Sequence, residues 1–131
     1  MSAKKVTNIK KVTLADLKPK PYKLYLDVPN NPDVECWVEI VSDQSKEYTI
    51  ALSELFKERG GVSDGTVSVE DAMLENGKLY SSVLMNWGPV EFFGEAFSKE
   101  VAQEILSDYD YKWIRMQIEE AIGERNNFFA K

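Results

Sequence analysis

Apolar and polar residues alternate early in the chain: Leu24, Leu26 and Val28 are interleaved with Lys23, Tyr25 and Asp27, a period of two that predicts a half-buried strand. The turn-forming cluster Pro29-Asn30-Asn31-Pro32-Asp33 ends it. The next run, Glu35-Cys36-Trp37-Val38-Glu39-Ile40-Val41, is rich in β-branched and aromatic residues and is suited to pair with the first strand as a hairpin. Two strands alone are only marginally stable in water, so helices must cover one face.

Past residue 45 the apolar period lengthens. Tyr48, Ala51, Leu52, Leu55 and Phe56 recur at helical spacing, with Ser45 as N-cap and Lys57 and Arg59 as a basic last turn before Gly60-Gly61. A second stripe, Val69, Ala72, Leu79, Tyr80, Val83 and Trp87, keeps one helical face for about five turns. Asn76-Gly77 falls in its middle, so either one helix tolerates that pair or two short helices meet there. Gly88-Pro89 stops the segment, and Glu91-Phe92-Phe93-Gly94-Glu95-Ala96-Phe97 forms an aromatic connector. Ser98 then caps a helix over 99–107, and Asp110 is the expected N-cap of a last helix reaching about Arg125, with Tyr109 and Ile114 placed as a hydrophobic staple.

Strands come first and helices afterwards, without the alternation that a doubly wound parallel sheet requires. The predicted fold is therefore α+β and mostly helical, a short N-terminal β-hairpin followed by about four helices. Residues 1–12, with Lys4, Lys5, Lys10 and Lys11 and little to bury, read as a flexible basic arm, and 13–131 as a single domain. At 131 residues a chain buries roughly two thirds of its unfolded surface, enough for one core without staples.

Charge narrows the function classes. Acidic residues outnumber basic ones 22 to 16, a formal charge of −6 that repels phosphate backbones and anionic lipid surfaces. The chain has no apolar run of signal-peptide or membrane-spanning length, so neither export nor a membrane span is expected. Cys36 is the only cysteine, which excludes an intrachain disulfide and fits a reducing compartment. With no histidine, the Ser-His-Asp and Cys-His nucleophile schemes and His-containing zinc sites are excluded. Asp108, Asp110 and Glu119 imitate positions 1, 3 and 12 of a calcium loop, but Lys112 and Trp113 stand where an oxygen ligand and a glycine belong. Gly77-Lys78 lacks both the hydroxyl residue and the first glycine of a phosphate loop. No enzyme, cofactor or metal is expected.

Contact surfaces are the remaining candidates. In the last helix Ile114, Ile118, Ala121 and Ile122 form a core stripe, while Trp113 and Met116 fall nearly opposite, either covered by the strand pair or the N-terminal arm or, on a helix packed on one face, shown to solvent as a contact surface. Phe128 and Phe129 close the chain, either folded into the core or docked into a partner. Trp87, Phe92, Phe93 and Phe97 are the densest aromatic cluster, filling the interior or rimming a groove. Trp113, Met116, Phe128, Phe129, Trp87, Phe92 and Phe93 are thus the candidate partner-binding residues.

Several of these segments together resemble a known family. Asn86-Trp87-Gly88, Glu91-Phe92-Phe93, Phe97-Ser98-Lys99-Glu100 and Ala102 to Leu106 are followed by Trp113 to Ile122, Glu124-Arg125-Asn126 and Phe128-Phe129. This pattern, over roughly residues 80 to 129, resembles the tail assembly chaperones of long-tailed bacteriophages. The resemblance implies a protein of the host cytoplasm that binds the tape measure protein, keeps that long helical chain soluble and helps recruit major tail tube subunits, without cofactor or turnover. It also implies that a frameshifted longer form can accompany a short form ending as this chain does. Self-association through Trp113 and Met116 is a further expectation. Two other readings stay open: a structural tail completion component, and an acidic phage inhibitor of a host protein.

Overall fold

The computed structural model describes residues 11–58 and 68–129. Most of the basic arm expected over 1–12, and the stop signal Arg59-Gly60-Gly61, lie outside the described residues. Within them the chain is mostly helical α+β, with five α-helices and one three-stranded antiparallel sheet in the order β1-β2-β3.

The hairpin forms as its pattern predicts. β1 (Tyr22–Tyr25) and β2 (Trp37–Ile40) pair antiparallel, with Tyr22 opposite Ile40 and Tyr25 opposite Trp37. Leu24, Leu26 and Val28 pack into or against the core while Lys23, Tyr25 and Asp27 are exposed. In the connecting loop Asn30 adopts a positive φ of 58°, which asparagine tolerates better than most residues. Asn31 Nδ2 donates to Pro29 C=O at 2.9 Å.

α1 spans Lys46–Glu58 and begins, as expected, at Ser45, whose Oγ accepts the Tyr48 N–H at 3.2 Å. α2 runs unbroken from Val69 to Ser81 with Ser68 as N-cap, so one helix accommodates Asn76-Gly77. Gly77 is buried because α2 crosses α4 there, close against Ser107.

The apolar stripe that predicted helix as far as Trp87 does not stay helical. α2 ends at Ser81, and Leu84–Gly88 forms β3, a third strand beside β2. Trp37 and Glu39 turn their backbone groups away from β1, and these buried-sheet groups need partners; Gly88 and Asn86 stand opposite them. Ser81 Oγ also donates back to Lys78 C=O at 3.1 Å, a local bond that competes with continuing the helix. The pairing demand of the sheet therefore overrides the helical period, with a register shift at Glu39/Ile40.

The Gly88-Pro89 peptide is cis. α3 (Val90–Phe93) follows and stops at Gly94, whose φ of 82° suits glycine. α4 (Lys99–Leu106) starts at Ser98, as expected, its Oγ accepting the Val101 N–H at 3.1 Å. The last helix begins later than its pattern suggested. Asp108 Oδ1 takes the Asp110 N–H at 2.9 Å and caps a 3-10 turn over Tyr109–Tyr111, so α5 runs from Lys112 to Gly123 with no side-chain cap. It also ends earlier than Arg125. Asn127 Nδ2 donates to Ala121 C=O at 3.0 Å, and a 3-10 turn over Arg125–Phe128 carries Phe128 into the core.

The core lies between the inner face of the sheet (Val38, Ile40, Leu84) and the stripes of α4 (Ala102, Leu106) and α5 (Ile114, Ile118). α1 stands outboard, packed on α2, with Tyr48 reaching the core cluster.

Candidate protein-binding surfaces

The aromatic connector folds onto β3. Trp87 stacks on Phe93 with centroids 4.5 Å apart, meets Phe97 edge to face at 5.1 Å, and donates its indole N–H to Glu95 C=O at 3.0 Å. Phe92 joins through Phe93. Trp87 is buried and Phe92, Phe93 and Phe97 are half-buried, so the cluster anchors the connector and shows partners only the rims of three phenylalanines.

Phe128, 1% exposed, sits edge to face with Tyr22 at 6.1 Å, and Phe129 is half-buried against the core. Trp113 is half-buried and packs on the same core. Met116, 56% exposed, faces solvent. The sequence candidates thus divide into the connector cluster, the C-terminal pair and the α5 residues, and of all of them Met116 offers the largest free apolar surface.

A different surface is built by α1 and α2. The apolar stripe of α1 is wider than α2 can cover: Ala51 and Leu55 are buried, but Leu52 remains 38% and Phe56 53% exposed. Together with Glu75, Asn76 and Leu79 of α2 they line an open, mainly apolar groove of about 200 Å³. Lys78 of α2 bridges to Glu58 of α1 at 2.5 Å and ties the helices together. The two helices carry Glu47, Glu54, Glu58, Glu70, Asp71 and Glu75 against Lys46, Lys57 and Lys78, so the groove lies in an acidic field.

Two charged groups, exposed Lys99 and buried Arg115, have structural partners. Lys99 Nζ donates to the carbonyls of Ser81, Ser82 and Leu84 at 3.2, 2.9 and 2.6 Å, joining the start of α4 to the junction of α2 and β3. Burial holds its ammonium below the ordinary lysine range, with the Glu47 carboxylate pulling the other way. Buried Arg115 pairs with Glu119 one turn on and lies 4.0 Å from Met73 Sδ. Burial raises the hydroxyl pKa of Tyr80 and of Tyr48, and Glu119 adds to both. The described residues contain no group of three or more His, Cys, Asp or Glu that could hold a metal ion. No described helix is long and apolar enough to cross a membrane.

No protein-family model, curated protein or solved structure matches this chain. Its chemistry must therefore be read from its own surfaces. The groove is shaped for an apolar side-chain ridge, such as one face of an amphipathic helix. Leu52, Phe56 and Leu79 were visible in the sequence as helical-stripe residues. Their exposure was not, because a stripe's width says nothing of how much its neighbour covers.

Proposed function

We propose that this chain is a phage tail assembly chaperone of the host cytoplasm that binds the tape measure protein and keeps it soluble until tube subunits are recruited. The reading rests on the family resemblance of residues 80 to 129, and the observation that carries it is the open apolar groove between α1 and α2. A tape measure chain is long and helical, and before assembly its apolar stripes are exposed to water. A groove with Leu52 and Phe56 on one wall and Leu79 on the other offers such a stripe a place to bury. The acidic residues of α1 and α2 favour helices with lysine or arginine beside the apolar anchors and help keep the complex dissolved.

Co-expression with the tape measure protein of the same gene cluster, followed by affinity capture and a solubility comparison, tests the reading. Capture and rescue of solubility are expected. Leu52→Asp or Phe56→Asp should weaken capture at least tenfold while the circular dichroism spectrum stays that of the folded chain, since both side chains are partly exposed and neither belongs to the core cluster. Met116→Ser and Trp113→Ser serve as comparisons on α5. If the tape measure protein is not captured and its solubility is the same with and without this chain, the chaperone reading is wrong.

A further inference from the structure

Among the described residues β1 is an edge strand of the sheet, and its backbone groups divide by register. Leu26 N–H donates to Cys36 C=O at 2.9 Å, which makes those two a hydrogen-bonded pair. Alternation along the antiparallel ladder then turns the backbone groups of Leu24 and Tyr22 toward β2, and those of Lys23, Tyr25 and Asp27 away from it. Asp27 is already satisfied from outside the sheet. Gln117 Oε1 accepts its N–H and Gln117 Nε2 donates to its C=O, both at 2.8 Å. At the other end of the strand, Lys20 N–H donates to Phe128 C=O at 2.7 Å. Between these two clasps, the N–H and C=O of Lys23 and Tyr25 have no backbone or side-chain partner among the described residues, and Tyr25 is 54% exposed.

We propose that this short open edge pairs with the same edge of a second copy, antiparallel about a two-fold axis at Leu24, joining the two sheets into one. In that register Lys23 faces Tyr25 of the second copy and Tyr25 faces its Lys23, and the two pairs exchange N–H···O bonds in both directions. The exposed side chains also match. Lys23 Nζ already lies 5.6 Å from the Tyr25 ring and 4.3 Å from the Trp37 ring, and the pairing sets each lysine beside a second tyrosine.

The neighbouring symmetric registers are unfavourable. An axis at Lys23 sets like charges opposite each other and puts Tyr25 against Pro21, which has no N–H. An axis at Tyr25 sets Lys23 against Asp27, whose groups Gln117 holds. Pro21 and the Gln117 clasp thus limit the contact to one short register, which makes a weak, specific dimer.

The test uses the full chain, with amide hydrogen exchange and sedimentation followed from micromolar to near-millimolar concentration. The expected result is a monomer–dimer equilibrium in which exchange at Lys23 and Tyr25 slows at least tenfold as dimer forms, while exchange at the already bonded Asp27 is unchanged. Tyr25→Pro removes an edge donor but no bond to β2 and should leave a monomer with an unchanged circular dichroism spectrum. The proposal is overturned by a dimer whose Lys23 and Tyr25 amides exchange at the same rate as in the monomer, which would move self-association to another face such as that of Met116. Monomer at every concentration overturns it, whether or not an added tape measure segment protects the edge. Protection of both amides at every dilution also overturns it, by assigning the edge to a segment of the same chain.

Discussion

Gly77→Ala should destabilise this protein although the substitution improves the helix that contains it. At an unconstrained interior helical position, alanine is favoured over glycine by about 1 kcal/mol. Here a Cβ at residue 77 would lie 1.9 Å from Ser107 Oγ, 2.9 Å from Ser107 Cβ and 3.0 Å from Ser107 Cα. The hydroxyl can rotate away. The Cβ and Cα cannot, because Ser107 is the C-cap of α4 and its N–H is bonded to Gln103 C=O at 3.0 Å. Relief therefore requires α2 and α4 to separate, and forced overpacking of this kind costs about 1–3 kcal/mol. Subtracting the helical gain leaves a net loss of about 1 kcal/mol.

Urea and thermal unfolding of Gly77→Ala, Ser107→Gly and the double variant measure this directly. Ser107→Gly removes the two closest clashing atoms and leaves only the approach to Cα at 3.0 Å. It also deletes a buried hydroxyl that has no hydrogen-bond partner among the described residues. The single alanine variant should lose about 3–6 °C in melting temperature. In the double variant much of that loss should be recovered, a coupling of about 1 kcal/mol. An alanine variant more stable than the parent, with additive effects in the double variant, would refute the close crossing of α2 and α4.

Lys99→Met should cost about 1–3 kcal/mol, because three carbonyls at the α2–β3 junction lose a charged donor; urea unfolding measures it. Burial pushes the Cys36 thiol above its ordinary range, so the native protein should resist thiol alkylation, with a rate set by unfolding. The same shift gives a sign: a raised folded pKa stabilises below the unfolded thiol pKa and loses that contribution as pH rises through the folded value, so Cys36→Ala should flatten the alkaline decline in stability. Asp16 is held below the ordinary carboxylate range, first by the Thr13 N–H bond at 3.0 Å and then by the Thr13 hydroxyl. Its contribution is present above the unfolded carboxylate pKa and lost as pH falls through the folded one, so NMR should show the Thr13 amide losing protection there.

Much of the fold was legible because it rests on local signals. Period-two alternation placed the hairpin, and Ser45 and Ser98 marked two helix starts with their own hydroxyls. The third strand was not legible. Val83 and Trp87 fit the helical stripe as well as a strand, and what decides between them is the unsatisfied edge of β2, a demand made by residues more than forty positions away. The start of α5 was misplaced for a smaller reason. Asp108 and Asp110 both suit a cap, and the earlier one closes on the later one's N–H. Of the candidate surface residues, helical position put Trp113 and Met116 on one face alike, yet Met116 is exposed and Trp113 packs half-buried on the core, and the clasp between Gln117 and Asp27 joins segments far apart in sequence and left no local trace.

The distribution of packing suggests where this protein can change shape at least cost. The sheet, α4, α5 and the C-terminal turn share one buried cluster, and Lys99 and Gln117 fasten its edges with hydrogen bonds. α1 contributes Tyr48 to that cluster and otherwise depends on α2, with Ala51 and Leu55 its buried residues. Local stability follows the amount of apolar burial, so α1 should open at lower free energy than the rest. An element held this lightly can shift at small cost, with Tyr48 as its link to the core. Binding at the α1–α2 groove would then add the apolar contacts that α1 lacks and steady it. The exposed Leu52 and Phe56 leave α1 lightly held, and for the same reason they suit it to hold a partner.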